Sequence, residues 1–259
     1  PQWRRRVGGI LNDAGTSLAI ENGTVNLVSF FRNTIDFNNS GTVWPETYLS
    51  DGLRDIFVTR FSTAGTLLST KRAGGVGDDC PRGVAFDGYN SFLCGYGTEQ
   101  MNFNTPSNNA THFISPQGDP FAFMAAFLWT DKYHFSKIQG RETNGVIYTD
   151  DMVVDELGSS YIIGRYTDAM EIGDLELQNS EEDKDCFFLL KLDASAKPLW
   201  LKEVAKATSA DNAKLEYYEG QLFMHVNVDY DSLFIHSGAS TLNVKGNHLL
   251  WFDTTGTYL

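Results

Sequence analysis

The amino-acid sequence predicts an all-β protein, and three observations carry this prediction. The 259 residues include 18 Phe and 11 Tyr, which favour strands, and 24 Gly but only 7 Pro. Short apolar stretches alternate with turns that contain Gly, Asn, Asp or Glu. One order of stretches and turns also recurs along the chain, which is typical of a repeat protein.

The clearest copy of the recurring unit covers residues 55–96. It contains an apolar strand, a turn of small residues, a second strand, a loop with glycines and a hairpin. The copies of the first strand hold the pairs Phe57 and Phe61, Phe123 and Phe127, Phe188 and Leu192, and Leu250 and Phe252. The last pair has a shorter spacing than the other three. We therefore expect four copies of this strand.

The other parts of the unit recur as well. The strand that follows the small-residue turn recurs at residues 66–73, 133–139 and 198–204, and at the N-terminus as PQWRRRVGG. The hairpin recurs as SLAIENGTVNLVSFF, GVAFDGYNSFLCGY, MVVDELGSSYIIGRY and LEYYEGQLFMHVNV. Each hairpin is followed by a short apolar ending, and the spacings between Phe37, Phe103, Ile172 and Ile235 are 66, 69 and 63 residues.

A four-stranded unit repeated at this period predicts a β-propeller. One such unit is too small to bury its own sheet faces, and radial stacking of the units buries them. The predicted single domain covers residues 1–259, with repeats at about 1–65, 66–131, 132–196 and 197–259. In each repeat the hairpin forms strands A and B, the Phe57-type strand is C, and the Trp3-type strand is D. Residues 199–218 have a helix-forming composition, but the repeat register assigns them to strands.

The two ends of the sequence are in phase with each other. The fourth copy reaches residues 255–259 without a strand D, whereas the chain opens with a strand D that follows no copy. Three arrangements fit: the N-terminal strand completes the last blade of its own molecule, it completes that of a neighbouring molecule by strand addition, or further blades belong to a longer protein. The predicted closure or assembly residues are Trp3, Arg4, Arg5, Arg6, Val7, Leu249, Leu250, Trp251 and Phe252.

Residues 55–96 resemble a known repeat family. The order DIFVTRF, TAGTLL, AGGVGDD, VAFD and FLCGY is similar to the bacterial seven-bladed β-propeller repeats, called SBBP repeats. The resemblance implies a secreted or surface-attached protein, and it supplies no catalytic motif. Four copies instead of seven depart from the family pattern.

Charge and cysteine content narrow the function classes. The net charge of -13 and the sequence pI near 4.7 disfavour nucleic-acid binding, and no apolar run is long enough for a membrane helix. The cysteines Cys80, Cys94 and Cys186 lack a metal-like spacing. Three sequons, at Asn22, Asn38 and Asn109, make these asparagines candidate N-glycosylation sites in a eukaryotic secretory pathway.

The sequence predicts no catalytic, cofactor-binding or metal-binding residue. It contains no HExxH, GxSxG, GxGxxG or Walker motif. Acidic residues recur at or before strand A, namely Asp13, Asp78, Asp79 and Asp211. A ring of carboxylates can bind a cation, but capping of turns by Asp explains the same recurrence and is the favoured interpretation.

These observations predict a non-catalytic extracellular scaffold, adhesin or self-assembling subunit, which can form filaments by head-to-tail strand addition to a second copy or bind another protein. The alternative is a carbohydrate-binding propeller, with Trp44, Tyr48, Tyr89 and Trp129 as candidate aromatic contacts. A third hypothesis is a glycosidase-like or lyase-like enzyme whose carboxylates come from distant blades.

Overall fold

The protein is an all-β protein, as the sequence predicts. A computed structural model describes residues 3–37, 47–103, 112–114, 121–127, 133–140, 146–180, 184–210, 212–235, 240–242 and 246–259. Within these ranges, β-strands are the only regular secondary structure. The propeller and the count of four repeats stay predictions.

The chain divides into two compact units. The first comprises Pro1–Pro120 and Phe127–Tyr133, and the second comprises Phe121–Ala126 and His134–Leu259. The strands of the first unit are β1 (Ala14–Glu21), β2 (Thr24–Phe31), β3 (Thr34–Asp36), β4 (Thr47–Leu49), β5 (Asp55–Ser62), β6 (Leu67–Gly75), β7 (Cys80–Phe86), β8 (Ser91–Gly97), β9 (Gln100–Asn102) and β10 (His112–Ile114).

The remaining strands lie wholly or almost wholly in the second unit. They are β11 (Phe121–Phe127), β12 (Tyr133–Gly140), β13 (Ile147–Val154), β14 (Ser160–Tyr166), β15 (Ala169–Ile172), β16 (Leu175–Gln178), β17 (Asp185–Leu192), β18 (Pro198–Ala210), β19 (Lys214–Tyr218), β20 (Gln221–Ile235), β21 (Ser240–Leu242) and β22 (Gly246–Asp253).

The N-terminal sheet consists of β1, β2, β5 and β6, paired antiparallel in that order. This is the order predicted for strands A to D. Strand β1 contains a β-bulge between Gly15 and Ser17, and β6 contains another opposite Arg60 and Phe61. Beyond β6, a short pairing of Gly74 and Gly75 with β9 extends the sheet.

The middle sheet consists of β13, β14, β17 and β18 and has the same strand order. Strand β13 also contains a bulge, between Thr149 and Asp151. The predicted strand assignment of residues 199–218 is confirmed, because they form most of β18 and all of β19. Backbone pairing with β17 and β20 overrides their helix-forming composition.

The C-terminal sheet consists of β19, the first part of β20 and β22. The second part of β20 pairs instead with β18 and β21. The sequence analysis aligns Leu250 with Phe57, and this alignment of the repeat copies is wrong. Phe252 is the residue that bridges to the chain after the turn, as Phe61 and Leu192 do, so Leu250 occupies the Thr59 position.

The segment Trp3–Val7, predicted as a strand D, belongs to no strand. A strand needs a neighbour that pairs with its backbone groups, and the described residues place no strand along this segment. Its continuation, Gly8, makes an isolated antiparallel bridge to Asp36. Gly74 pairs with Asn102 of β9 in the same manner at the end of β6, so Gly8 stands to β3 as the end of β6 stands to β9.

Each unit has an apolar core. In the first unit Phe31, Ile35, Phe37 and Phe57 form one buried cluster. In the second unit a larger cluster joins the middle sheet to the C-terminal sheet. From the middle sheet it contains Tyr161, Ile163, Phe187, Leu189, Val204, Ala205 and Ala207, and from the C-terminal sheet Leu215, Leu222, Met224, Val226, Val228, Leu250 and Phe252.

Candidate functional site

One turn, between strands C and D, is built the same way in three sheets. Gly65, Ala196 and Gly256 all have a positive φ, between 64° and 82°. Each donates its amide to the carbonyl at the start of its turn, which is that of Ser62, Asp193 or Asp253. The side chain of that first residue accepts the amide four positions later, at Thr66, Lys197 and Thr257 respectively. This repeated turn joins β5 to β6 and β17 to β18, and it also follows β22.

A tryptophan packs on this turn in both units. In the second unit Trp200 of β18 covers Gly256, where an added Cβ would lie 3.0 Å from its ring. In the first unit Trp3 covers Gly65, where an added Cβ would lie 2.6 Å from its ring, and its Nε1 donates to the Thr63 carbonyl (2.6 Å). Trp3 therefore takes on the N-terminal sheet the place that Trp200 takes on the C-terminal sheet.

The basic residue two positions after each tryptophan also lies against the turn glycine. Arg5 Nε donates to the Gly65 carbonyl (2.9 Å), and Lys202 lies beside Gly256. Lys202 pairs with Leu189 of β17, and Lys71 holds the corresponding position opposite Val58 in the N-terminal sheet. Lys71 and Lys202 thus occupy the same position in their paired strands, and Arg5 stands at the same distance after its tryptophan as Lys202 does.

Aspartates cap the entry into two hairpins. Asp13 accepts the amides of Gly9 (2.5 Å) and Arg32 (3.1 Å), and Asp79 accepts the amide of Gly75 (2.8 Å). These bonds are the turn caps that the sequence predicts. Asp78 forms an ion pair with Arg54, and Asp211 lies outside the described residues. Across the described part of the chain, no three His, Cys, Asp or Glu side chains are grouped to hold a metal ion.

Strand β22 is paired unequally along its two edges. One edge pairs with β20 over its whole length, from Gly246 to Asp253. Along the other edge the described residues contribute only the bridge from Phe252 to Tyr258. Its two hydrogen bonds run from the Asp253 amide to the Thr257 carbonyl (2.9 Å) and from the Leu259 amide to the Trp251 carbonyl (3.0 Å). Because backbone groups alternate sides along a strand, the amide and carbonyl of Leu249 also point to this second edge.

The C-terminal sheet presents a partly apolar face beside that edge. Phe223 of β20 lies opposite Trp251, and His225 lies opposite Leu249. Leu249 is 58% exposed and Trp251 is 42% exposed, while Phe223 is half-buried. His225 Nε2 lies 3.0 Å from the Asn247 side-chain oxygen. We call Phe223, Leu249 and Trp251 the presenting face.

The N-terminal sheet has an apolar face that is only partly covered. Trp3, Arg5 and Val7 lie over its outer part and leave a cavity of about 310 Å³, whose floor includes Leu18, Val25, Leu27, Phe57 and Phe61. Towards the edge of the sheet, Leu18 is 55% exposed and Ile20 is 62% exposed. We call Leu18, Ile20, Val25 and Leu27 the receiving face.

Buried acids and thiols of the chain have shifted pKa values. Burial raises the pKa of Asp79 to about 8, with a further contribution from the charge of Asp55, and burial raises that of Asp55 to about 6. Burial raises the pKa of the Cys80 thiol, and burial followed by the charge of Glu203 raises that of Cys186 to about 12. These thiols are protonated at neutral pH and are poor nucleophiles.

The remaining sequence candidates fall in several places. Asn22 is exposed in the turn between β1 and β2, whereas Asn38, Asn109, Trp44 and Trp129 lie outside the described residues. Tyr48 packs edge-on against Phe37, while Tyr89 is exposed. Arg4 and Arg6 are exposed, and Leu250 and Phe252 are buried in the core of the second unit. Cys80, Cys94 and Cys186 are unpaired and buried.

The sequence interpretation missed Leu18, Ile20 and Phe223. Leu18 and Ile20 follow the alternation expected of a half-buried strand, so periodicity marks them as core residues. Phe223 instead stands between the buried residues Leu222 and Met224 and lies on the opposite face of its strand. The available signal was their register, because Leu18 and Ile20 correspond to Leu215 and Tyr217 of β19. Leu18 pairs with Leu27 as Leu215 pairs with Met224.

No protein-family model matches the sequence, and no curated protein matches it. The resemblance to SBBP repeats therefore stays a prediction from the residues quoted for it. Nowhere in the described residues is there a helix that is long and apolar enough to cross a membrane.

Proposed function

We propose that the protein is a self-assembling structural subunit in which the open edge of β22 accepts residues Trp3–Val7 of a second copy as a strand. One observation carries the proposal. Strand β22 is paired along the whole of one edge, whereas the described residues pair with its other edge only at Phe252, and the side chains of Leu249 and Trp251 are exposed. An apolar strand with an open edge is a template for strand addition.

The proposed donor has the features of a strand D. Trp3 and Arg5 contact the Gly65 turn as Trp200 and Lys202 contact the Gly256 turn. In the middle sheet, such a strand also pairs with the strand C before it, through Lys191 with Trp200 and Leu189 with Lys202. The donor therefore already makes the side-chain contacts of a strand D on its own sheet. In the proposal, β22 of the second copy supplies the backbone pairing.

The register of the added strand follows from the two complete sheets. Lys191 pairs with Trp200 one residue before the bridging position Leu192, and Arg60 pairs with Ser69 one residue before Phe61. By the same count Trp251 would pair with Trp3, and Leu249 would pair with Arg5. Facing residues of an antiparallel pair have Cα atoms about 5.5 Å apart, which a disulfide can bridge.

Disulfide formation between two single variants tests the proposal. Arg5→Cys and Leu249→Cys, purified separately, distinguishable by an added tag and mixed under oxidising conditions, are expected to give a mixed disulfide dimer. The native thiols do not compete, because all three are buried. As a matched control, Arg4→Cys mixed with Leu249→Cys is expected to give little dimer, since side chains alternate along a strand.

The double variant, with Arg5→Cys and Leu249→Cys in one chain, distinguishes assembly from ring closure. Head-to-tail assembly predicts a ladder of disulfide-linked oligomers that lengthens with protein concentration. An intramolecular disulfide at every concentration, with no mixed dimer from the single variants, would show that the strand stays within its own molecule. Absence of both products would overturn strand addition altogether.

The proposed subunit is non-catalytic and extracellular, and it serves as a scaffold. The extracellular location is supported by the resemblance to secreted repeat proteins. In the proposed assembly, protein groups of a second copy cover the second edge of β22.

A further inference from the structure

The proposed strand addition leaves two apolar faces to be covered. The receiving face exposes Leu18 and Ile20 beside the donor segment, and the presenting face exposes Leu249 and Trp251 beside the acceptor edge. We propose that the receiving face of one copy packs against the presenting face of the second copy, so that the assembly is a sheet-on-sheet interface as well as an added strand. This inference rests on the proposed function.

The second unit contains the pattern for such an interface. There the middle sheet packs against the C-terminal sheet, and the contact buries Leu189 with Leu215 and Met224 in one cluster. Tyr161 stacks on Tyr217 across it, with ring centroids 6.2 Å apart and planes 11° apart. Leu215 is only 2% exposed in this interface.

The presenting face corresponds to the middle-sheet side of that interface. Tyr161 pairs with Lys191, and Phe223 pairs with Trp251, each one residue before the bridging position of its strand C. Phe223 therefore corresponds to Tyr161. Leu249, two residues before Trp251, corresponds in the same way to Leu189, which is buried in the cluster.

The receiving face corresponds to the C-terminal-sheet side of the same interface. Leu18 pairs with Leu27 as Leu215 pairs with Met224, and Ile20 pairs with Val25 as Tyr217 pairs with Leu222. The correspondence predicts the new contacts: Phe223 of the second copy lies on Ile20, and Leu249 of the second copy lies against Leu18. We therefore infer that a second copy of this chain covers the receiving face, because the presenting face of the C-terminal sheet carries the matching apolar residues.

Site-directed cross-linking tests the face contact separately from the added strand. Ile20→Cys and Phe223→Cys, mixed as single variants, are expected to be joined by a short bismaleimide. A matched control replaces Ile20 by Leu68→Cys, an exposed leucine at the β6 bulge, outside the receiving face. That control is expected to give no mixed dimer with Phe223→Cys.

The outcomes separate the two proposals. Cross-links at both Arg5–Leu249 and Ile20–Phe223 support both. The Arg5–Leu249 disulfide without the Ile20–Phe223 product overturns the face contact and leaves strand addition in place. The reverse result overturns strand addition and retains the face contact, and the absence of both overturns both.

A charge placed on the receiving face gives a second measurement. Leu18→Asp would bury an unpaired carboxylate in the interface, so it is expected to weaken self-association by about tenfold or more in sedimentation experiments. Leu68→Asp is expected to leave self-association unchanged. Equal association of both variants and the parent would overturn the face contact, and an unchanged monomer unfolding transition would show that Leu18→Asp still folds.

Discussion

The receiving face of the N-terminal sheet and the covered face of the C-terminal sheet hold corresponding residues in opposite environments. Leu215 is 2% exposed beneath the middle sheet, whereas Leu18 is 55% exposed. Leu222 and Met224 are fully buried, while their counterparts Val25, at 8% exposure, and the half-buried Leu27 line a cavity. The alternating pattern of the strands is the same in both places. Burial is therefore decided by whether another sheet packs on the face.

The two faces also differ in what holds the overlying chain. On the C-terminal sheet, Trp200 belongs to β18, which is paired with β17 and β20. On the N-terminal sheet, Trp3 lies in a segment that belongs to no strand. The same tryptophan contact with a turn glycine is thus made once from a paired strand and once from a segment without strand pairing. We propose that the strand that this segment lacks as a neighbour is β22 of a second copy.

Truncation of the two corresponding leucines is expected to give the largest difference. In dilute solution Leu215→Ala should lower the free energy of unfolding by about 3 kcal/mol, because it leaves a cavity in a closed core. Leu18→Ala should lower it by less than about 0.5 kcal/mol, because its side chain is already in water. Urea unfolding monitored by circular dichroism measures both values.

Raising the protein concentration sharpens this comparison. If a second copy covers the receiving face, the cost of Leu18→Ala should grow with concentration, while that of Leu215→Ala should not. Equal losses for both variants in dilute solution would contradict the exposure of Leu18 in the single chain.

Removal of the two tryptophans is expected to give a smaller difference. Trp200→Ala should cost about 2 kcal/mol, because Trp200 packs on the core of the second unit and on Tyr161. Trp3→Ala should cost about 1 kcal/mol in the single chain, because Trp3 is 36% exposed and unsupported by strand pairing. Thermal unfolding checks both. A larger loss for Trp3→Ala would contradict the view that its segment is weakly held.

A pH titration compares a covered carboxylate with an exposed one. Burial raises the pKa of Asp79 to about 8 in the folded protein, against about 4 in the unfolded chain. Between these values the folded state holds a proton that the unfolded state has released. The stabilisation is therefore complete below about pH 4 and is lost as the pH rises to about 8, with a slope near 1.4 kcal/mol per pH unit.

The variant Asp79→Asn is expected to remove this contribution while retaining an oxygen that accepts the Gly75 amide. The slope should fall most clearly above about pH 6, which is the pKa of Asp55. Unfolding free energies measured from pH 5 to 8 check the prediction, and an unchanged slope would contradict it. Asp253→Asn is the control. Its pKa is lowered, chiefly by the Thr255 hydroxyl, so its contribution is lost only as the pH falls below the ordinary range for Asp. The slope between pH 5 and 8 should stay as in the parent.

Sequence periodicity predicts most of the strands and much of their order in the sheets. The pairs Phe57 with Phe61 and Phe188 with Leu192 located two strands C correctly, because their register is fixed by a turn of constant shape. The alignment of repeat copies by apolar spacing is wrong at Leu250, where that spacing is shorter. Only the backbone bridge at Phe252 reveals the register there. Local composition also could not predict that residues 3–7 form no strand, since strand formation requires a neighbour.

The candidate site was predicted only in part. The phase of the repeat predicts Trp3, Leu249 and Trp251, and the structure gives them partly exposed positions. Trp3 lies against a turn, and the other two lie on β22, whose second edge is paired only at Phe252 among the described residues. Leu18 and Ile20 were not selected, because an apolar residue in an alternating strand has the same sequence signature whether its face is covered or not. Only three-dimensional packing distinguishes the two cases.

The buried thiols make each unit report on its own opening. Cys80 and Cys94 belong to the first compact unit, and Cys186 belongs to the second. A thiol in a closed core reacts with a labelling reagent only when the surrounding strands open. Two phases of labelling, one with two thiols and one with a single thiol, would time the two units as independent folding units. A single phase would mean that the chain opens as one body.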